Sequence, residues 1–479
     1  MAEKKAFYIT TTLPYVNADP HIGFALEAVH TDIVARYKRL MGNEVFFTTG
    51  TDEHGQKVFG RAQEEGRDPQ EYVDDYASRF EKLKTQLGLS NDAFVRTTNP
   101  AHKEAAQELW RRCAAAGDIY KKKYKGLYCV GDEMFLRESD LVGGKCPNHP
   151  TMEPVEIEEE NYFFRLSAYR DKLLEYLARE SAVLPEWRRE EALAFVHGGL
   201  EDFSISREKA RLSWGVPVPG DESQVMYVWF DALTNYISTL GWPADPQEKF
   251  KKFWEGGEVV QTAGKDQVRF QSIMWQAMLI SAGIKNTDKV VYHGFITSGG
   301  QKMSKSLGNV IEPFALVEEY GTDALRYFLA RHVHPFEDSD VTVLRFKEAY
   351  NSDLANGLGN LAARIMQLAA TNLEEPVKAE FVPYPREFTE PLERFEINKA
   401  AEYVWQRIQE LDQKITQTEP FKLVKTDPEK GCELIAELVR ELAAIDLMLE
   451  PLMPETSKKI IEAIMQNKKP NMLFPRKEE

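Results

Sequence analysis

Cysteine is scarce in this chain: Cys113, Cys129, Cys146 and Cys432 are the only four among 479 residues. That is too few for a disulfide scaffold and predicts a reducing, cytoplasmic setting. Long apolar runs are missing, so no bilayer-spanning helix and no membrane partner are expected. The opening MAEKKAFYIT also lacks a signal-peptide core. A basic surplus is missing as well: 60 lysines and arginines face 76 aspartates and glutamates, a formal charge of −16. Bulk attraction to a polyanion is thereby excluded. A nucleic-acid partner has to be met by local basic surfaces, with salt-sensitive binding. The sequence shows neither internal repeats nor low-complexity segments. What it has is an ordinary globular composition, 43% hydrophobic and 28% charged, and length enough for about two to four domains.

Hydrophobic periodicity gives the organisation. AFYITTT (6–12) is β-branched and aromatic and reads as a buried strand. In the following helical stretch, Leu26, Val29, Ile33, Tyr37 and Met41 share a face, with Asp19 and Pro20 at the start and Gly42 as the stop. NEVFFTTGTDEHG is a second strand and a polar turn, which completes a βαβ unit and implies a parallel sheet. EVVQTAG and KVVYHGFITSGG repeat the strand pattern late, around the helical FQSIMWQAMLISAG. The fold class is therefore α/β, a doubly wound parallel sheet split by an insertion at 118–224, with a C-terminal α-helical bundle from residue 349. The insertion reads as short strand-like pieces with a Cys/His cluster. EEPVKAEFVPYPREFTEP reads as a Pro-rich connection within the bundle.

Two short motifs carry chemistry. His21 and Gly23 fall in the first turn of the first helix, where unpaired N–H groups and the helix dipole attract anions. An isolated H-x-G is more often a surface helix start. GGQKMSKSLGNV sets Lys302 and Lys305 three residues apart among glycines and serines. Lysines act as point charges on phosphate oxygens and glycines admit backbone N–H groups, although a solvated turn can look the same. Both motifs follow strands of the parallel sheet, where open α/β sheets bind ligands.

Together the H-I-G start and the K-M-S-K-S loop resemble the paired signatures of class I aminoacyl-tRNA synthetases. LPYVNADPHIGFALEAVHTDIVARYKRLMG, GTDEHG, MYVWFDALTNYI, GKDQVRF and NLAAR resemble the methionyl branch of that family. The insertion has no room for the editing domain of the branched-chain relatives. The resemblance implies a Rossmann-type catalytic domain in halves 1–117 and 225–298 around a connective insertion, 118–224. A KMSKS and stem-contact region would follow at 299–348, then an anticodon-binding helical domain at 349–479. It implies methionine, ATP with Mg2+, and tRNA as substrates and partners.

In site terms, the resemblance implies that His21, Gly23, Lys302 and Lys305 act on the ATP phosphates, with Phe24, Glu27, Gly264, Asp266 and Ser304 binding ATP. Leu13, Tyr15, Asp52, Trp229, Ala232, Tyr236 and Gln271 would bind methionine, Asp52 through its α-ammonium. Several positions depart from the family pattern, among them Asp132, where a cysteine is usual. Phe24 replaces a histidine, keeping a flat face for adenine without a ring-nitrogen donor. Gln267 and Gln271 stand where isoleucine and histidine are more usual. Asn360 and Arg364, at i and i+4, and Phe421 would read the anticodon by edge hydrogen bonds and stacking. Cys129, Asp132, Cys146 and His149 form two arms with zinc-knuckle spacing; a metal-free knuckle held by packing is the alternative. The basic YKKKYKG run (120–126) is read as a solvated turn or a phosphate contact. A monomer is expected. Another class I synthetase, a small-molecule nucleotidylyltransferase and a non-catalytic tRNA-binding relative are the competing functions.

Overall fold

The structure is a computed structural model. It describes the chain except residues 1–4, 130–133, 137, 148–152, 304–308, 379–382 and 479; residues 134, 135, 139 and 302 are described by backbone alone. The chain divides into two compact units. The first comprises residues 1–19, 42–82 and 91–293; the second comprises 20–41, 83–90 and 294–479.

The opening elements are β1 (Ala6–Thr10), α1 (Ile22–Leu40) and β2 (Glu44–Thr51). Residues 7–10 of β1 are all buried, as an apolar run inside a parallel sheet requires. The remaining elements of the first unit used below are β3 (Ala93–Arg96), α2 (Pro100–Ala115), β4 (Ile119–Cys129), β5 (Met134–Leu136), β6 (Val155–Phe164), β7 (Val183–Leu184), β8 (Phe203–Ser204), α3 (Val228–Leu233), α4 (Asn235–Ser238), β9 (Glu258–Gly264) and β10 (Lys289–His293). Six strands pair in parallel in the order β3-β2-β1-β9-β10-β7. The order reverses at β1, which creates the switch point of a doubly wound sheet. The sixth strand, β7, comes from within residues 118–224, as do two helices, Arg170–Leu177 and Glu186–His197. Neither the edge strand nor these helices was legible as such.

A second, antiparallel sheet runs β5-β4-β6-β8. The basic run is no turn. It lies in β4, directly opposite the acidic run of β6, with Lys123 paired to Glu160 and Lys125 to Glu158. Lys125 also meets Glu156, and Lys121 reaches Asp221 at 2.9 Å. Cross-strand partners of opposite sign offset much of the local positive charge.

Helix α1 packs in the second unit. Its N-cap is His21 itself, rather than Asp19, and Met41 is the C-cap, 47% exposed and off the buried face. The KVVYHGFITSGG stretch is two strands. β10 ends at His293, and β11 (Ile296–Ser298) forms a separate hairpin with β12 (Gln301–Lys302). Gly299 and Gly300 have φ of 63° and 72°, so they make a tight two-residue turn that only residues without Cβ adopt without strain. β11 also pairs with β13 (Ser339–Asp340), whose Asp340 Oδ1 accepts from the Gly300 N–H at 2.7 Å.

The helices of this unit include α5 (Thr322–His332), α6 (Asn360–Asn372), α7 (Arg386–Glu393), α8 (Ile397–Thr418), α9 (Pro420–Thr426), α10 (Pro428–Leu449) and α11 (Pro454–Met465). The Pro-rich connection thus carries a helix of its own, α7, whose start tolerates Pro385 as N-cap because no N–H is needed there. Ion pairing sets the position of α1. Asp32 is fully buried and takes Arg326 of α5 at 2.8 Å, Arg36 at 2.7 Å, and both N–H and Oγ of Ser90 at 2.6 Å. Burial alone would raise the Asp32 pKa; these partners outweigh it and hold it below the usual carboxylate range.

Candidate functional site

The candidate residues fall into two groups, one in each unit. In the first unit they gather where the chain leaves β1, β2 and β9, the carboxyl edge of the sheet. Leu13 and Tyr15 follow β1. Asp52 follows β2 and forms a parallel bridge with Tyr15, its N–H donating to Pro14 O at 2.9 Å. Asp52 is 2% exposed, and its Oδ1 accepts from the His54 N–H at 3.4 Å and from Thr97 Oγ1 at 3.5 Å. A carboxylate so held keeps its orientation in a poorly hydrated place.

Opposite stands an aromatic wall. Tyr15 meets Trp229 edge-on at 6.2 Å, and Trp229 stacks on Phe270 at 3.9 Å and 15°. Ala232, one turn after Trp229 in α3, is buried, as is Tyr236 in α4. The Gln271 amide donates to Tyr236 Oη at 2.6 Å, and Tyr8 Oη donates to the Tyr236 carbonyl at 2.9 Å. Gln271 therefore touches this wall through a tyrosine. Its neighbour Phe270 escaped the sequence reading, because a stacked partner in a helix looks like any core aromatic. Gly264 ends β9 and is buried; Asp266 lies in the next turn, exposed, and accepts from the Gln267 amide at 3.1 Å.

Behind Asp52 lies a polar cluster that sequence reasoning missed. Asp231 of α3 is 1% exposed. Its Oδ2 accepts from His54 Nδ1 at 2.6 Å and its Oδ1 from His102 Nε2 of α2 at 2.8 Å. Burial pushes the Asp231 pKa up, but the two imidazoles outweigh it and bring it to about 2. Next to it, Glu53 receives Arg96 in a fork at 2.6 and 2.9 Å, and the Trp214 indole donates to the Glu53 carbonyl at 2.7 Å. The GTDEHG turn is thus fastened at every residue from 52 to 54. The letters showed a polar turn; three-dimensional partners 40 or more positions away could not be read from them.

In the second unit, His21 Nδ1 accepts from the Gly23 N–H at 3.0 Å. That fixes the tautomer: a neutral ring carries its hydrogen on Nε2, the nitrogen turned away from the helix start. Burial lowers the His21 pKa to about 4, so the ring is neutral at pH 7. A Cβ at Gly23 would come within 2.8 Å of His21 Cε1, so only glycine lets the imidazole fold over the first turn. The Phe24 ring stacks on it at 4.3 Å. Glu27, one turn on, is 7% exposed. The chain that follows the KMSKS segment returns to this point, since the Ile22 N–H donates to the Ile311 carbonyl at 3.1 Å. Lys302 closes the hairpin in β12; Ser304 and Lys305 lie outside the described residues.

Asn360 begins α6 and is exposed; Arg364, four residues on, pairs with Asp412 of α8 at 2.6 Å and keeps 37% of its side chain exposed. Phe421 is 43% exposed in α9, so it is not a core aromatic. Cys129 and Cys146 are both buried, free of disulfides, and pack in one small cluster with Leu136. Asp132 and His149 lie outside the described residues, among which no group of three or more His, Cys, Asp or Glu side chains converges as a metal site. Among the described residues no helix is long and apolar enough to cross a membrane.

Comparison with known proteins agrees with this geometry. The family model described as "tRNA synthetases class I (M)" matches residues 7–153 and 150–366. The methionine–tRNA ligase of Rhizobium meliloti is 42% identical over 484 residues, covering 97% of this chain and 92% of that one. That of Thermotoga maritima is 40% identical, covering 97% and 76%. Mycobacterium tuberculosis methionyl-tRNA synthetase in complex with methionyl-adenylate superposes with a TM-score of 0.89 at 38% identity, over 96% of this chain and 93% of that one. Its apo form gives 0.84 at 33% identity, over 100% and 99%. The chain belongs to the class I tRNA synthetases, in their methionyl-tRNA synthetase branch.

Proposed function

We infer that this chain attaches methionine to its tRNA in two steps. The methionine carboxylate attacks the α-phosphate of ATP and pyrophosphate leaves. The tRNA 3′ hydroxyl then attacks the carbonyl of methionyl-adenylate and AMP leaves. The observation that carries the reading is the likeness, over nearly the full length of both chains, to a synthetase seen with methionyl-adenylate. Such chemistry needs positioning and neutralisation of developing charge more than covalent help.

Residue roles follow from shape and charge. Asp52 pairs with the α-ammonium. Leu13, Tyr15, Trp229, Ala232, Tyr236 and Gln271 enclose the thioether, whose polarizable sulfur suits aromatic faces. His21 donates from Nε2 to an ATP phosphate, at a helix start that already favours anions. Gly23 lets that ring fold back, Phe24 offers a face to adenine, and Glu27 completes the nucleotide wall. Gly264 and Asp266 take the ribose, and Lys302, Ser304 and Lys305 take the leaving pyrophosphate. Mg2+ bound to ATP would neutralise phosphate charge. Asn360, Arg364 and Phe421 meet the anticodon, in a helical domain spanning 349–479. The half-exposed Phe421 supports stacking on an unpaired base. The Cys129 and Cys146 thiols suit zinc, with Asp132 and His149 completing the set. Metal analysis of purified protein checks this: absence of stoichiometric zinc from a folded sample rejects it. A cytoplasmic monomer is the form we assign.

Methionine-dependent exchange of pyrophosphate into ATP tests the function. Exchange supported by leucine, isoleucine or cysteine in place of methionine would overturn it.

A further inference from the structure

Three segments carry the pocket that this reading assigns to methionine: the turn with Asp52, helix α3 with Trp229 and Ala232, and helix α4 with Tyr236. One buried carboxylate connects all three. Asp231 belongs to α3. Its Oδ2 accepts from Nδ1 of His54, two residues after Asp52. Its Oδ1 accepts from Nε2 of His102, whose Nδ1 meets Ser238 Oγ in α4 at 2.9 Å. Every member of this chain is buried: Asp231 1%, His54 2%, His102 2% and Ser238 8% exposed. None of them is assigned a contact with substrate.

We propose that Asp231 is a positioning residue for the amino-acid pocket, holding the Asp52 turn and the Trp229–Tyr236 wall at a fixed separation. The proposal rests on the pocket being the methionine site. Its physical basis is donor matching. Both imidazoles present an N–H to Asp231, so only a group with two acceptors satisfies both. His102 sits on α2, a helix of four and a half turns, and so gives the clamp a rigid back. The edge of the His54 ring rests against Trp214 at 5.5 Å, which stops that imidazole from swinging away. An ammonium carboxylate pair and an aromatic wall recognise opposite ends of one small substrate. Their spacing therefore sets affinity for that substrate and leaves the nucleotide untouched.

The test is Asp231→Asn in pyrophosphate exchange. The amide keeps the shape but turns an NH2 toward one imidazole N–H. The methionine KM should rise about tenfold or more while the ATP KM stays within about twofold. A merely architectural role would lower the melting temperature and the active fraction with both KM values unchanged, and an equal rise in both would likewise overturn the proposal. Ser238→Ala cuts only the link to α4 and leaves the carboxylate paired. It should raise the methionine KM by about threefold with unaltered ATP KM, and it decides the matter if Asp231→Asn does not fold. An unchanged methionine KM in Ser238→Ala, alongside an unchanged or unmeasurable Asp231→Asn, rejects the clamp. Failure of the underlying reading looks different: the wild-type protein would not exchange pyrophosphate in response to methionine at all.

Discussion

His21 has two jobs at one atom pair. Nδ1 caps the helix start, and Nε2–H is left to donate. The two can be separated. His21→Asn keeps an acceptor suited to an N-cap and should melt within about 0.5 kcal/mol of wild type, whereas His21→Ala should lose about 1 kcal/mol. Both should depress adenylate formation, since neither offers the ring N–H; chemical denaturation and pyrophosphate exchange read the two effects. Asp446 shows the opposite kind of titration. It is 3% exposed in α10, with Ser457 Oγ at 3.2 Å, and burial raises its pKa to about 8. Unfolded, it would titrate near the usual 4. Between those values the folded protein keeps a proton that the unfolded chain releases. Stability therefore falls as pH rises from about 4 to about 8. Asp446→Asn should flatten that slope in urea melts at pH 5 and pH 8. Nothing in the letters marks this group: an aspartate in AAIDLMLE sits at a helical position, and only packing shows that it points inward.

At the scale of elements, the buried Asp32–Arg326 pair decides where α1 belongs. Arg326 also donates to the carbonyls of Leu87, Pro451 and Leu452 at 3.1, 2.9 and 3.0 Å. Arg326→Met would leave a buried carboxylate without its main counter-charge and should cost about 3–5 kcal/mol in denaturant unfolding. The double variant with Asp32→Asn should recover part of that loss, because the uncompensated charge is gone. Legibility at this scale followed periodicity. EVVQTAG gave its strand to the residue, Glu258–Gly264, where every residue after Glu258 is buried, the polar Gln261 and Thr262 included. KVVYHGFITSGG misled, because Gly294 separates two strands of different sheets. A Cβ there would lie 2.2 Å from the Glu337 backbone, so the glycine marks a close approach. YKKKYKG misled for a related reason: a charged strand looks like a turn until its oppositely charged partner strand, VEIEEENYFF of β6, is identified.

For the whole molecule, the helical domain and the catalytic sheet should fail separately. Arg364→Ala should leave methionine-dependent exchange within about twofold and reduce tRNA charging by about tenfold or more, each base-edge contact contributing about 1–3 kcal/mol. Parallel aminoacylation and exchange assays check it, and equal losses would contradict the assignment. The helix start at His21 was legible because it is local, written in a few consecutive letters. The Asp231 cluster was not, since its members come from a turn and three separate helices.

The membership of α1 has a practical corollary. The polypeptide passes from one unit to the other after Asp19, Met41, Lys82, Ser90 and His293, so no single scissile bond parts them. A fragment ending at residue 293 would carry a helix stripped of its guanidinium partner, and the complementary fragment would arrive without that helix. Expressed alone, each should be degraded or insoluble; expressed together, they should reassociate into one soluble species on gel filtration.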